Sequence, residues 1–387
     1  MVSGMTNTQT VIYLDYLSTS PCDPSVVQAM LPFFSEQFGN PASAHQFGKS
    51  AANAVNDARR HVAALLGAEP AEIAFTSGAT ESNNLVILGM GSERGRSKIV
   101  TTQTEHKSVL EPVRRLSELG FQIELLPVDE RGRVNLDAAQ ATIDNTTLLV
   151  SIQAANNEIG TVQPVKQIVE LGREVGALIH CDAAQIIGKL PFSLSELAVD
   201  FASVSAHKLY GPKGVGALYV RGGVLNSPLT PLFRGGGQEA GARPGTLNVA
   251  AIVGFGRACQ LSISALDQDS ERIAGLRDCF ESTLAKEVTH TSFNGDPTSR
   301  LPNCSSALFK GIRADELLSN CPRIAASIGS ACTSGTFAPS HVLIAIGLSQ
   351  DEANSTVRFS FGRQTTREEI ESAVQAIAAA AATLMKN

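Results

Sequence analysis

Between Glu72 and Ser205 the chain alternates short apolar runs with segments of helical period, and this alternation constrains the fold more than any other feature. Strands are expected at 72–76, 98–102, 121–126, 147–152, 177–181 and 201–204. Helices are expected from about Glu81 and over 107–119, 136–143 and 164–175. Strands that recur with a helix between them pair in parallel and are covered on both faces, so ligands reach such a sheet at its strand ends. Past about residue 255 the pattern changes. A long helix over 249–287, strands near 304–309 and 356–361, helices around 314–320 and 339–347 and an Ala-rich helix over 367–385 describe a smaller α+β unit. The expected division is a large domain over 16–255 and a small one built from 1–15 and 256–387.

At 387 residues the chain exceeds the usual size of a single core, and its 43% hydrophobic and 18% charged residues are ordinary for a globular protein. A net charge of −6, without a run of Lys or Arg along one face, argues against a nucleic-acid surface. Seven Cys with no C-x-x-C pair suit a reducing compartment and speak against disulfides or structural zinc. The first ten residues lack an apolar core of the secretory type, and no uninterrupted apolar stretch reaches the length of a membrane span. A cytoplasmic protein without direct nucleic-acid or membrane contact is expected.

Three strand ends carry the polar residues. Ser205-Ala-His207-Lys208 closes the run 201–204 and is broken by Gly211-Pro212, which presents one amine beside a hydroxyl and an imidazole able to hold an anion. That is the arrangement of a Schiff-base lysine for pyridoxal 5′-phosphate; Lys213 is the rival amine. Asp182 closes the run that begins at Gly176, where a carboxylate can face a pyridine nitrogen and keep it protonated. Strand 72–76 leads through Ser77-Gly78 into Ala79 and Thr80, a turn and helix start whose free N–H groups suit a phosphate. Thr80 fits phosphate binding and simple helix capping alike.

Taken together, the motifs FGNPASAH (38–45), FTSGATESNNL (75–85), TEHK (104–107), NNEIG (156–160), HCDAAQ (180–185), SAHKLYGPKG (205–214), GSACTSG (329–335) and VRFSFGR (357–363) resemble those of the pyridoxal-phosphate-dependent cysteine desulfurases of the class V aminotransferase family. The resemblance is to the group I type with a long catalytic-cysteine loop. It implies a fold type I α/β transferase with a mostly parallel seven-stranded sheet. It implies L-cysteine as substrate, L-alanine as product, and a persulfide on Cys332 passed to a protein sulfur acceptor. On the same resemblance, Lys208 carries the cofactor and then takes the substrate's Cα proton. His106 stacks on the ring and moves protons, and Asn157 and Gln185 lie near the cofactor's phenolic oxygen. Ser205 and His207 join Ala79 and Thr80 at the phosphate, and Thr246 closes the phosphate site of a neighbouring subunit, which makes the protein a homodimer. Arg358 suits bidentate capture of an α-carboxylate, since a guanidinium presents paired donors to two oxygens.

Cys332 separates this reading from its neighbours. It sits in a run of small residues, 328–335, too flexible for a rigid strand, as suits a thiolate that must first reach a bound substrate and then an outside acceptor. A selenocysteine lyase, an aminotransferase on the same scaffold and a non-catalytic sulfur-relay scaffold are the alternatives. The sulfur's destination, whether iron–sulfur clusters, tRNA thiolation, cofactor synthesis or phosphorothioate DNA, is not written in the core motifs. One departure stands out: Asp15-Tyr-Leu17-Ser18 replaces the small residue and Ala that most relatives carry in the substrate-side turn.

Overall fold

The computed structural model describes residues 11–90, 95–328 and 339–386. Seven strands form the central sheet in the order Ile73–Thr76, Gly216–Val220, Phe201–Ser205, Leu178–Asp182, Thr147–Gln153, Lys98–Thr102 and Gln122–Leu126. Gly216–Val220 runs antiparallel to both neighbours and every other pairing is parallel. The mostly parallel sheet expected from the alternation is therefore present, and the expected elements shift at their ends by only a residue or two. Successive residues of several strands enter different cores. Ile73, Phe75, Val100, Ala202 and Val204 belong to one, while Ala74, Ile99 and Phe201 belong to the other. This period-two division under helices on both faces explains why the strands read as continuous apolar runs.

A four-stranded antiparallel sheet, in the order Ser327–Ile328, Thr356–Ser360, Cys304–Phe309 and Thr291–Asn294, forms the second body. Beside it Ile12–Tyr13 pairs in parallel with Ile324–Ala325, so the start of the described chain joins this C-terminal part. Phe280 packs against Phe359 and Phe361 with ring centroids 4.9 and 5.3 Å apart. Each such ring contributes about 1.5–3 kcal/mol by burial.

The helix Val249–Glu287 ties the two bodies together. Ala251, Ile252, Phe255 and Cys259 lie in the first core, and Ile273, Phe280 and Leu284 in the second. It approaches the helix Gln46–Leu66 so closely that a Cβ on Gly256 would sit 2.6 Å from Ala58 Cα. Among the described residues this one helix is long and apolar enough by composition to cross a membrane, but half of its apolar window is buried inside the protein.

A turn from Asp15 to Ser20 crosses between the two bodies at the strand ends. Leu17 N–H donates to Ser360 Oγ at 2.9 Å, and Ser20 N–H donates to the His207 carbonyl at 3.0 Å. The Leu17 side chain is completely buried in the first core. The substitution that set this turn apart in the sequence thus fills space behind it and leaves its carbonyl toward the strand ends.

Candidate active site

The C-terminal strand ends and the Asp15–Ser20 turn enclose a cavity of about 520 Å³, within the range of small-molecule sites. Lys208 follows the strand Phe201–Ser205 in a single 3₁₀ turn, Ala206–Lys208, and its Nζ donates to the Ser18 carbonyl at 2.7 Å and to that of Leu17. The chain can turn away at once because Tyr210 takes a left-handed conformation, φ 61°. Asp182 ends the adjacent strand, where Asp182 pairs with Ser203. Its Oδ2 accepts from Asn83 Nδ2 at 2.8 Å and its Oδ1 from the Ala184 N–H at 3.0 Å.

At one end of the cavity Gly78, φ 152°, caps the eleven-residue helix Ala79–Gly89 without any side-chain cap bond. Its first N–H groups thus remain as donors beside Ser205 and His207, which line the same space. Thr80 lies inside this helix, one residue past its start, so simple capping is not its role. Gly216 is required here: a Cβ would meet Val204 O at 2.4 Å and Gly78 Cα at 2.6 Å, forcing the turn away from the sheet. Glu81 locks the turn by accepting from Ser77 N–H at 2.7 Å and from Arg243 Nε at 2.9 Å. Burial alone would raise its carboxyl, but these bonds pull it below the usual range.

His106 caps the helix Lys107–Glu118, its Nδ1 accepting from Ser108 N–H at 3.1 Å with Ser108 Oγ 2.7 Å away. Burial lowers its pKa, Asp182 opposes that shift and Lys208 adds to it. His207 is pushed down to about 4, by burial first and then by Lys208, Lys213 and Lys189. Arg358 is buried in the middle of the four-stranded sheet, not on an edge strand. Its Nη1 donates to the Asn157 carbonyl at 2.8 Å, and its Nη2 to Asp15 Oδ1 at 2.8 Å and Ser18 Oγ at 2.6 Å.

Ala79, Thr80, His106, Asn157, Asp182, Gln185, Ser205, His207, Lys208 and Arg358 all line this cavity, and so does Lys213. Gln185 Nε2 donates to the Leu17 carbonyl at 3.2 Å. Thr246 lies apart, in a shallow hollow with Phe33, Phe34 and Phe38. Cys332 lies outside the described residues. Sequence reasoning missed Asn83, Ser108, Asp15 and Lys189. Asn83 stands inside a quoted motif and Ser108 directly follows one, so they were readable only as neighbours of Thr80 and His106. Lys189 is a half-buried amine that shares a small hollow with Lys208, its pKa lowered to about 7 by desolvation and by Lys208.

The family model for aminotransferase class-V matches residues 12–372. The chain belongs to this family. It is 47% identical over 375 residues to the mitochondrial cysteine desulfurase of Arthroderma benhamiae, covering 95% of this chain and 73% of that one. The solved structure of a NifS-like protein superimposes with a TM-score of 0.89 at 38% identity, over 96% of this chain and 99% of the other. A structure of SspA in complex with cysteine matches with a TM-score of 0.82 at 37% identity, over 92% and 99%. With this kinship the chain is an enzyme of the cysteine desulfurase group, on the fold type I scaffold.

The family implies pyridoxal phosphate, and the residues present fit it. An uncapped helix start supplies donors for a phosphate, while Asp182 and Lys208 supply an acid and an amine on neighbouring strands. Gln185 Oε1 is buried and, among the described residues, has no hydrogen-bond partner, a polar atom left for a bound group.

Proposed function

We propose that this cysteine desulfurase binds pyridoxal 5′-phosphate and L-cysteine in the cavity at the strand ends, releases L-alanine and retains the sulfur as a persulfide on Cys332. The observation that carries the reading is the convergence of Asp182, Lys208 and the helix start at Ala79 on one cavity. Ala79, Thr80, Ser205 and His207 would hold the phosphate, Asp182 the ring nitrogen, and Lys208 the aldehyde carbon. When bound, the cofactor withdraws electrons from the substrate's Cα.

Arg358 binds the α-carboxylate through its paired donors, and the Asn157 carbonyl holds the guanidinium in place. Lys208 Nζ, once free, takes the Cα proton. The Cys332 thiolate attacks the substrate sulfur; the Cβ–S bond breaks, its electron pair stays with the carbon, and protonation there completes alanine. No external oxidant or reductant is needed, since the sulfur moves from one thiol to the other. The persulfide then passes to a protein acceptor, in a reducing, cytoplasmic setting that keeps the described cysteines as thiols.

A homodimer is part of this reading. Phe34 and Phe38 are 64% and 66% exposed beside Thr246, an apolar patch suited to a second copy that would receive Thr246 at its phosphate. Residues 16–255 would form the cofactor-binding domain, and 1–15 with 256–387 the smaller one. Purified protein should show visible absorbance from bound cofactor and yield one alanine per sulfur taken from L-cysteine. Transfer of the amino group to a keto acid without sulfur release would make it an aminotransferase instead, and a stable monomer that keeps its cofactor would remove the dimeric site.

A further inference from the structure

We propose that Ser108 and Asn83 are positioning residues that hold His106 neutral, with its one ring proton on Nε2, so that the imidazole meets the cavity as a hydrogen-bond donor and not as a base. This rests on the cavity being the active site. The hydrogens can be counted. Asn83 Nδ2 lies 2.8 Å from a carboxylate oxygen, Asp182 Oδ2, which fixes which end of the amide is nitrogen. The same Nδ2 lies 2.8 Å from Ser108 Oγ, which must therefore accept. The single Ser108 hydroxyl proton is left for His106 Nδ1, 2.7 Å away. The Ser108 backbone N–H also points at Nδ1, at 3.1 Å. Two donors on Nδ1 require a lone pair there, and the proton of a neutral ring then sits on Nε2.

An imidazolium would set a third hydrogen against those two donors. The start of the helix Lys107–Glu118 also disfavours a cation at its cap. The charged and titratable groups facing the ring pull in both directions. Asp182 and Glu158 favour protonation; Lys208 and His341 oppose it, as does burial. A ring held this way orients substrate or cofactor by donating from Nε2, and leaves proton abstraction to Lys208.

The test uses holoenzyme labelled with ¹⁵N-histidine, His106 being assigned by comparison with His106→Gln. Expected is an unprotonated Nδ1 and a protonated Nε2 from pH 8 down to below 6.5. In Ser108→Ala the ring should titrate closer to 6.5, so that kcat at one pH unit below falls about tenfold while kcat at pH 8 changes little. Ser108→Thr should restore the wild-type profile. A proton on Nδ1, ordinary titration near 6.5 in the wild type, or an unchanged Ser108→Ala profile would overturn the proposal. The tautomer is read without turnover, so its failure and failure of the desulfurase reading are separate results.

Discussion

Ser18 Oγ accepts a hydrogen bond from Arg358 Nη2 at 2.6 Å and donates one to Asp15 Oδ1 at 2.9 Å, bridging the ion pair that Arg358 makes with Asp15. Ser327 Oγ adds a further donor to the same carboxylate oxygen at 2.9 Å. Ser18, one of the two residues that set the substrate-side turn apart in the sequence, thus orients the guanidinium assigned to the substrate carboxylate.

Arg358→Lys replaces a planar pair of donors by a point charge, at a cost of about 1.5–3 kcal/mol, and should raise KM for L-cysteine about 10- to 100-fold. Ser18→Ala removes a hydroxyl hydrogen-bonded to two charged groups; a loss of about 1.5 kcal/mol, the lower end for hydrogen bonds to charged groups, should raise KM about tenfold at unchanged kcat. Steady-state kinetics on both variants decide this; a fall in kcat alone for Arg358→Lys would assign the carboxylate to another group.

Among the described residues three lysines line the cavity, Lys107, Lys208 and Lys213, but only Lys208 follows a strand end beside Asp182. Borohydride reduction of the holoprotein should place the cofactor on the peptide containing Lys208. Lys208→Ala should lose that attachment and about a thousandfold or more of turnover. Label on Lys213 would reverse the assignment.

The other thiols make poor rivals to Cys332. Burial pushes Cys304 up to about 12, and Cys259 and Cys181 well above the usual range. Cys332→Ser should keep its cofactor, because phosphate and ring contacts do not involve the thiol, yet lose alanine formation by more than about a hundredfold, since a hydroxyl is the weaker nucleophile. One equivalent of L-cysteine given to the wild type should add a single reducible sulfur, found by mass spectrometry on the peptide containing Cys332. Sulfur on Cys304 or Cys321 would exclude Cys332 as the carrier.

His180 lies fully buried in the sheet between Ser151 Oγ at 2.8 Å and Ser203 Oγ at 3.0 Å. Burial lowers its pKa to about 4, against the nearby Asp182 charge. The unfolded chain then binds the extra proton between pH 6.5 and about 4. The stability from this histidine is accordingly complete above pH 6.5 and is lost as pH falls toward and through 4, by about 3 kcal/mol over the window. His207, also lowered to about 4, adds to the same loss. Thermal midpoints measured from pH 7.5 to 4 should fall less steeply in His180→Gln; equal slopes would show that His180 does not titrate in that range.

Periodicity and composition were enough to place the strands of the parallel sheet, the helix over Val249–Glu287 to the residue, and the polar groups at each strand end. These follow from local conformation, in which each residue's neighbours along the chain decide which face it occupies. The motifs around Lys208 and Asp182 were legible for the same reason, being short segments at breaks between elements. Contacts between distant segments were not. Asn83 meets Ser108 and Asp182 across 25 and 99 residues, and Ser18 meets Arg358 across 340. Nothing in the spacing of such residues records which hydroxyl faces which nitrogen, because that depends on how the sheet's strand ends, the first turn of the chain and the second sheet close on one another. The sequence by itself determined the scaffold and the chemical groups it carries; the tertiary structure decided how those groups are oriented, and hence which nitrogen of His106 is left to act.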